Sequence, residues 1–225
     1  MSFEDAATLG VGITTVAQGL YQELGLPFPP AKVQSPTTVL IYGGSTATGT
    51  LAIQYAKHTG CEVIATSSPH NFDLLRKLGA DQVFNYKDAD VGAKIREATN
   101  DKLKLAFDCI AEGNSFDITA AAISSTGGHV SALLPVNNYP RSDVKTKFTF
   151  AYTALGEAYS EKVGASQEDY EFGARFWKQA EEWFGQGKLK THPIEVRNGL
   201  EGVPQGLQDL KDGKVSGVKL VYKVG

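Results

Sequence analysis

The sequence predicts an α/β fold with an open, doubly wound parallel sheet and helices on both faces. In Val39–Gly60, a short apolar run, a glycine turn and an amphipathic run follow one another directly. Apolar runs and amphipathic segments then alternate along the chain as far as Leu133. Strands that alternate with helices pair in parallel through right-handed crossovers. These observations predict a Rossmann-type doubly wound parallel sheet with a C-terminal extension.

The elements of this sheet are predicted in a regular order. Each predicted strand is short and apolar, and each predicted helix carries apolar residues at helical spacing. The strands are Val39–Tyr42, Val63–Thr66, Gln82–Asn85, Leu103–Ile110 and His129–Leu133, and the helices are one that includes Leu51–Ala56, then Asn71–Leu78, Val91–Thr99 and Phe116–Ile123.

The C-terminal part is predicted to extend this domain. The polar stretch Asn137–Lys147 reads as a solvated loop, although its basic side chains could also steer the phosphate of an acyl carrier or of coenzyme A. Glu168–Gly187 reads as a long helix whose aromatic stripe belongs to the core. A shorter helix over Val203–Lys211 and a closing strand over Lys219–Lys223 follow, and His192 is predicted to be structural.

Composition bounds the class of protein. A chain of 225 residues can bury roughly 70 to 75% of its unfolded surface, enough for one large domain. A net charge of −3 without long basic runs argues against nucleic-acid binding. No apolar run reaches the length of a membrane span, and the first residues lack a basic signal region, which predicts a cytoplasmic protein. The two cysteines have no metal-ligand spacing, so neither a zinc site nor a disulfide is predicted.

The glycine turn is the first candidate site. Gly43 and Gly44 permit a turn that is closed to residues with a Cβ. A pyrophosphate at the start of the next helix would meet free backbone N–H groups and the positive end of the helix dipole. Against G-x-G-x-x-G, Gly44 stands first and Gly49 last, with Thr46 in the middle; such a turn also occurs in folds that bind nothing there. Gly44→Asp is expected to abolish dinucleotide binding, at little cost in stability if the turn angle tolerates the new residue.

The residues after the second predicted strand indicate the cofactor. NAD sites carry an Asp or Glu here that accepts the ribose hydroxyls. Ser67–Asn71 instead offers hydroxyls, an imidazole and an amide, which can donate to a 2′-phosphate. The sequence therefore favours NADPH over NADH, and the missing acid also disfavours S-adenosylmethionine. Ser68 and Pro69 would equally open the next helix without any ligand, and the two interpretations are compatible.

These motifs resemble a known superfamily. GGSTATG, followed by TSSPHNFDLLRKLGADQVFNYKD, resembles the medium-chain dehydrogenase/reductases, and within them the fungal trans-acting enoyl reductases and their zinc-free relatives. The resemblance covers nearly the whole chain and implies an NADPH-dependent enoyl or alkene reductase. The cofactor contacts that it implies are Gly43, Gly44, Ser45, Thr46, Ala47 and Thr48 at the pyrophosphate, Ser68, Pro69, His70 and Asn71 at the 2′-phosphate and ribose, Tyr86 beside the adenine, Leu133 and Leu134 near the nicotinamide, and Val215 and Ser216 near the C-terminus.

The same resemblance implies the substrate side and the absence of zinc. Zinc-dependent members carry a ligating cysteine where this chain has Val11, so no metal site is expected. That leaves NADPH and proton donors to reduce a C=C bond in a small enone or acyl substrate. Two threonines are plausible donors to the enolate, although helical threonines often bond to a preceding carbonyl. Gly10–Ala17 and Ala154–Ala158 match the family's pocket regions, and the candidate contacts are Thr14, Thr15, Ala154, Leu155 and Gly156.

The resemblance also implies a GroES-like β-barrel domain ahead of this chain. We therefore expect one NADP-binding domain over residues 1–225, with a leading linker helix at about 1–34. The C-terminal segment at about 190–225 packs, in the family, on the absent catalytic domain. Such a truncated form is expected to bind NADPH, lack turnover, expose an unpaired strand around Leu220–Tyr222, and self-associate or capture a catalytic domain. The alternative is a non-catalytic dinucleotide-binding or sensing module that assembles with a partner.

Overall fold

The computed structural model of the protein describes residues 1–161 and 163–224. Its centre is a six-stranded sheet in which every neighbouring pair is parallel. The strands are β1 (Thr38–Tyr42), β2 (Glu62–Ser67), β3 (Gln82–Asn85), β4 (Leu105–Asp108), β5 (Gly128–Ala132) and β6 (Val144–Phe148). Their spatial order is β3-β2-β1-β4-β5-β6. This order confirms the predicted Rossmann-type fold and places a crevice where it reverses, at the carboxyl ends of β1 and β4.

Helices cover both faces of this sheet. They are α1 (Phe3–Ala6), α2 (Gly10–Val16), α3 (Ala47–His58), α4 (Phe72–Lys77), α5 (Val91–Ala98), α6 (Ser115–Ala122), α7 (Gln167–Gly185) and α8 (Val203–Lys211). A π-helix (Ala17–Glu23) continues α2, and three short 3₁₀ turns lie at Pro69–Asn71, Ala151–Leu155 and Leu200–Gly202. None of the helices within the described ranges is long and apolar enough to cross a membrane.

The core is divided between the two faces of the sheet. On one face, Tyr55 of α3 stacks on Trp183 of α7 with 5.5 Å between ring centroids and packs against Phe176 at 4.9 Å. Phe176 is completely buried, which confirms that the aromatic stripe of α7 belongs to the core. On the other face, Ile95 of α5 and Ile118 of α6 close a second apolar cluster over β1 and β4.

Two sequence predictions about strands are wrong. The end of the supposed loop Asn137–Lys147 forms β6, which pairs with β5 at the edge of the sheet. Its exposed lysines alternate with more buried residues, and charged side chains of this kind protect a free sheet edge. The closing strand β8 (Lys219–Lys223) is not unpaired, because it pairs in parallel with β7 (Ile194–Asn198) in a separate two-stranded sheet.

His192 has the structural role that the sequence predicts. Its side chain is only 3% exposed, and its Nδ1 lies 2.9 Å from Thr50 Oγ1 at the start of α3. The pair therefore ties the segment before β7 to the main domain. Burial, together with the nearby positive charge of Lys219, lowers the pKa of His192 to about 4.

This lowered pKa predicts a loss of stability in acid. The unfolded chain binds a proton at His192 near pH 6.5, whereas the folded chain resists it until about pH 4. Stability is therefore full above pH 6.5 and falls as the pH drops towards 4. Urea titrations at pH 7.5 and 4.5 give the free energy of unfolding at each pH. Its decrease between pH 7.5 and 4.5 should be about 2 to 3 kcal/mol smaller in His192→Gln than in the wild type. An equal loss in both proteins would contradict this role of His192.

Candidate functional site

The glycine turn between β1 and α3 is held by hydrogen bonds to the neighbouring strand β2. Gly43 N–H donates to Thr66 Oγ1 at 3.0 Å, and Gly44 N–H donates to Thr66 O at 2.8 Å. Thr46 caps the helix, since its hydroxyl accepts from Gly49 N–H at 2.9 Å and donates to Gly43 O at the same distance. The residue that replaces the middle glycine of the motif is thus the N-cap of α3.

Three backbone N–H groups of this turn are free. Within the described residues, the N–H groups of Ser45, Ala47 and Thr48 donate to no acceptor. Ala47 and Thr48 are the first two residues of α3, where the helix dipole is positive. Free donors at the positive end of a helix fit an anion such as a pyrophosphate.

Each of the three glycines of the turn is required for a different physical reason. Gly43 has a φ of +77°, which favours glycine, and a Cβ there would lie 2.7 Å from Ile110 Cγ1. A Cβ at Gly49 would strike the carbonyl oxygen of Gly43, so this glycine allows close packing of α3 on the turn. A Cβ at Gly44 would lie 2.9 Å from Leu75 Cδ1, in the apolar core. This geometry argues against the expectation that Gly44→Asp costs little stability.

A cleft of about 440 Å³ opens at the carboxyl ends of the strands, and we refer to it as the strand-end cleft. Three loops meet at this cleft, those that follow β1, β2 and β4, because each contributes lining residues. Tyr42 and Thr66 also line it, and sequence reasoning missed both; the only signal was a polar side chain at the end of a strand. The lining residues are Tyr42, Gly43, Ser45, Thr46, Thr66, Ser67, Ser68, Tyr86, Ile110, Glu112, Gly113, Asn114 and Ser216.

Two of the predicted 2′-phosphate residues meet a predicted cofactor contact from a distant part of the chain. His70 Nε2 lies 2.9 Å from Ser216 Oγ, and Asn71 Nδ2 donates to the same hydroxyl at 3.0 Å. Ser68 precedes the 3₁₀ turn that begins with Pro69, but its side chain makes no capping hydrogen bond. The turn therefore does not require the Ser68 hydroxyl, which leaves this group available in the cleft.

The remaining cofactor candidates are placed unevenly. Tyr86 lines the strand-end cleft, and Lys87 Nζ lies 5.8 Å from its ring centroid. Leu133, just after β5, packs against the core, whereas Leu134 is 38% exposed; neither lines this cleft. Val215 precedes Ser216 in the loop before β8 and is half-buried. Of the predicted cofactor residues, the cleft is thus lined by Gly43, Ser45, Thr46, Ser68, Tyr86 and Ser216, and not by the predicted nicotinamide residues or by Gly44, Ala47, Thr48, Pro69, His70, Asn71 and Val215.

Three of the five substrate candidates line a groove, and the other two lie outside it. The groove, of about 350 Å³, lies between α2, the turn Ala151–Leu155 and α7, and we refer to it as the aromatic groove. Thr14, Ala154 and Leu155 line it, and Thr14 Oγ1 accepts from Trp177 Nε1 at 3.1 Å. Its lining residues are Gly10, Val11, Thr14, Ala151, Tyr152, Ala154, Leu155, Tyr170, Gly173, Ala174 and Trp177.

The other two substrate candidates lie outside the aromatic groove. Thr15 is buried, and its hydroxyl donates to Val11 O at 2.7 Å, as helical threonines often do. Gly156 has a φ of +77°, and a Cβ added there would lie 2.9 Å from Tyr170 Cδ2, so this residue packs directly against the Tyr170 ring. Across the part of the chain that the structure describes, no group of three or more His, Cys, Asp or Glu side chains could hold a metal ion.

Comparison with known proteins agrees with this architecture. A family profile described as zinc-binding dehydrogenase matches residues 47–138, from the first turn of α3 to the loop after β5. The solved CurK enoyl reductase shares the fold, with a TM-score of 0.77 at 21% identity over 99% of this chain and 64% of that one. The sheet order, the glycine turn and these matches define a Rossmann-type domain.

Curated relatives identify the family. The trans-enoyl reductase ACTTS2 of Alternaria alternata is 60% identical over all of this chain and 66% of its own length. The trans-enoyl reductase resD of Aspergillus sclerotiorum is 42% identical, again over all of this chain and over 68% of its own length. The chain belongs to the trans-enoyl reductases, within the medium-chain dehydrogenase/reductase superfamily. It spans about two thirds of the length of these relatives.

Proposed function

We propose that this chain binds NADPH in the strand-end cleft and serves as the cofactor-binding part of an enoyl reductase. The proposed substrate is an α,β-unsaturated acyl compound or a small enone. The observation that carries the proposal is the free N–H group of Ser45 in the same cleft as Ser68 and Ser216, followed by the free N–H groups of Ala47 and Thr48 in the first turn of α3. NADPH carries a pyrophosphate and, on its adenosine ribose, a 2′-phosphate, so it offers one anionic group to each set of donors.

The preference for NADPH rests on the hydrogen-bond donors in the segment after β2. The turn after β2 holds no carboxylate, whereas NAD sites place one there. His70, Asn71 and Ser216 already form one hydrogen-bonded cluster, so their polar atoms point towards a common place. The acid that does line the cleft, Glu112, comes from the loop after β4. The donors after β2 therefore favour a 2′-phosphate over a free ribose hydroxyl.

The chemistry assigns separate tasks to the cofactor and the chain. When bound, NADPH supplies the hydride for reduction of the C=C bond. The Thr14 hydroxyl accepts from Trp177, which leaves its own proton free to donate to the oxygen of a developing enolate. Tyr152, Leu155 and Tyr170 give the aromatic groove an apolar wall that fits an acyl chain.

Binding and turnover test the proposal separately. Titration followed by nucleotide fluorescence should give a dissociation constant at least tenfold lower for NADPH than for NADH, because one charge-assisted hydrogen bond contributes about 1.5 to 3 kcal/mol. Equal affinities would remove the argument from the 2′-phosphate. NADPH oxidation with crotonyl thioester and with a simple enone then tests the reductase activity. Turnover would exclude a non-catalytic dinucleotide-binding module, whereas binding without turnover is expected both of such a module and of the cofactor-binding part on its own.

A further inference from the structure

Asp108, the last residue of β4, is a buried carboxylate that the proposed binding site does not use. Its side chain has no exposed surface. Oδ1 accepts two backbone hydrogen bonds, from Ile110 N–H at 3.0 Å and from Ala111 N–H at 2.8 Å. Oδ2 is buried and has no hydrogen-bond partner among the described residues. Burial raises the pKa of Asp108, so the fold holds this acid in an unfavourable environment.

The two hydrogen bonds shape the loop that follows β4. Ala111 has a φ of +55°, a left-handed conformation that is uncommon for a residue with a Cβ and has to be imposed by its surroundings. The Ile110 side chain packs against Gly43 on the side where a Cβ would stand, since a Cβ added there would lie 2.7 Å from Ile110 Cγ1. Four residues of this loop, Ile110 and Glu112–Asn114, line the strand-end cleft. The shape of that cleft therefore depends on a conformation that Asp108 fixes.

We propose that Asp108 is a positioning residue for the dinucleotide, holding the loop Ile110–Asn114 against the glycine turn through the N–H groups of Ile110 and Ala111. The proposal rests on the proposed function of the cleft. Asp108 does not line the cleft, so it acts only through the loop. Ser115, at the start of α6, is also buried, and its side chain lies close enough to this carboxyl to counter part of the rise in the pKa of Asp108. An amide at position 108 would keep the Oδ1 acceptor.

Two variants of Asp108 separate positioning from general stability. Asp108→Ala removes the acceptor, whereas Asp108→Asn keeps it with the same shape. At a temperature where all the proteins are folded, Asp108→Ala should bind NADPH at least tenfold more weakly, and Asp108→Asn should stay within about threefold of the wild type. Asp108→Leu fills the side-chain volume without an acceptor, and it replaces the alanine variant if that one does not fold.

Hydrogen exchange of the protein without nucleotide gives a second, ligand-independent measurement. The Ile110 and Ala111 amides should exchange at least tenfold faster in the alanine or leucine variant and at the wild-type rate in Asp108→Asn. Wild-type NADPH affinity in a variant whose loop amides exchange fast would overturn the proposal, and so would unchanged exchange. If the wild type itself binds no NADPH, the proposed function fails, whereas the exchange rates still decide whether Asp108 holds the loop.

Discussion

Ser68→Asp is expected to reverse the cofactor preference, so that NADH binds more tightly than NADPH. Ser68 lines the strand-end cleft and stands immediately before the turn Pro69–Asn71. A carboxylate here would accept the ribose hydroxyls of NADH and repel a 2′-phosphate. The loss of one charge-assisted hydrogen bond alone, at about 1.5 to 3 kcal/mol, weakens NADPH binding by roughly ten- to a hundredfold, and repulsion adds to this.

The fold should tolerate this change. Ser68 has extended backbone angles at an N-cap position, where aspartate is among the preferred residues. Ser68→Asn is the matched control, because it has the same shape without the charge and should keep the preference for NADPH. Dissociation constants for both nucleotides, measured on all three proteins, test the prediction. A Ser68→Asp variant that still prefers NADPH would show that the phosphate is recognised elsewhere.

The sequence predicted the fold well because the main sheet is made of local, strongly patterned units. Each of β1 to β5 is an apolar run next to an amphipathic helix, and right-handed crossovers then leave few possible strand orders. The pattern of apolar runs did not predict β6, because Lys145 and Lys147 make this strand look like part of a polar loop. It gave the bounds of β8 correctly but missed the pairing of that strand with β7, which lies more than twenty residues earlier in the chain. Pairing of short, half-exposed strands depends on tertiary contacts that no local pattern records.

The candidate site was predictable to the extent that it is local. The glycine turn and the donor-rich segment after β2 can each be found within ten residues of sequence. The meeting of His70 with Ser216 cannot, because it depends on how the segment after α8 returns to the sheet. A pair of adjacent glycines also does not reveal which way each missing Cβ would point. Gly43 is required by its φ, whereas Gly44 is required by the neighbouring core.

Gly44→Asp is therefore expected to unfold the protein rather than only block the cleft. A Cβ at this position would lie 2.9 Å from Leu75 Cδ1, 3.0 Å from Ala65 Cβ and 3.2 Å from Ile53 Cδ1. The carboxylate would thus be buried among apolar side chains without a partner, which costs several kcal/mol. Since a domain is stable by only about 5 to 15 kcal/mol, this change removes much or all of that stability.

A second aspartate, placed one residue later, separates folding from binding. Ser45 lies beside the free N–H groups and lines the strand-end cleft, so Ser45→Asp puts its charge at the helix N-terminus, where a carboxylate is favourable. Thermal melting followed by circular dichroism should show a large loss of stability for Gly44→Asp and little change for Ser45→Asp. Nucleotide titration should show that Ser45→Asp binds NADPH and NADH at least tenfold more weakly, because its carboxylate competes with the pyrophosphate for the same donors. A Gly44→Asp protein that melts like the wild type would mean that the core around Leu75 rearranges to admit the new side chain.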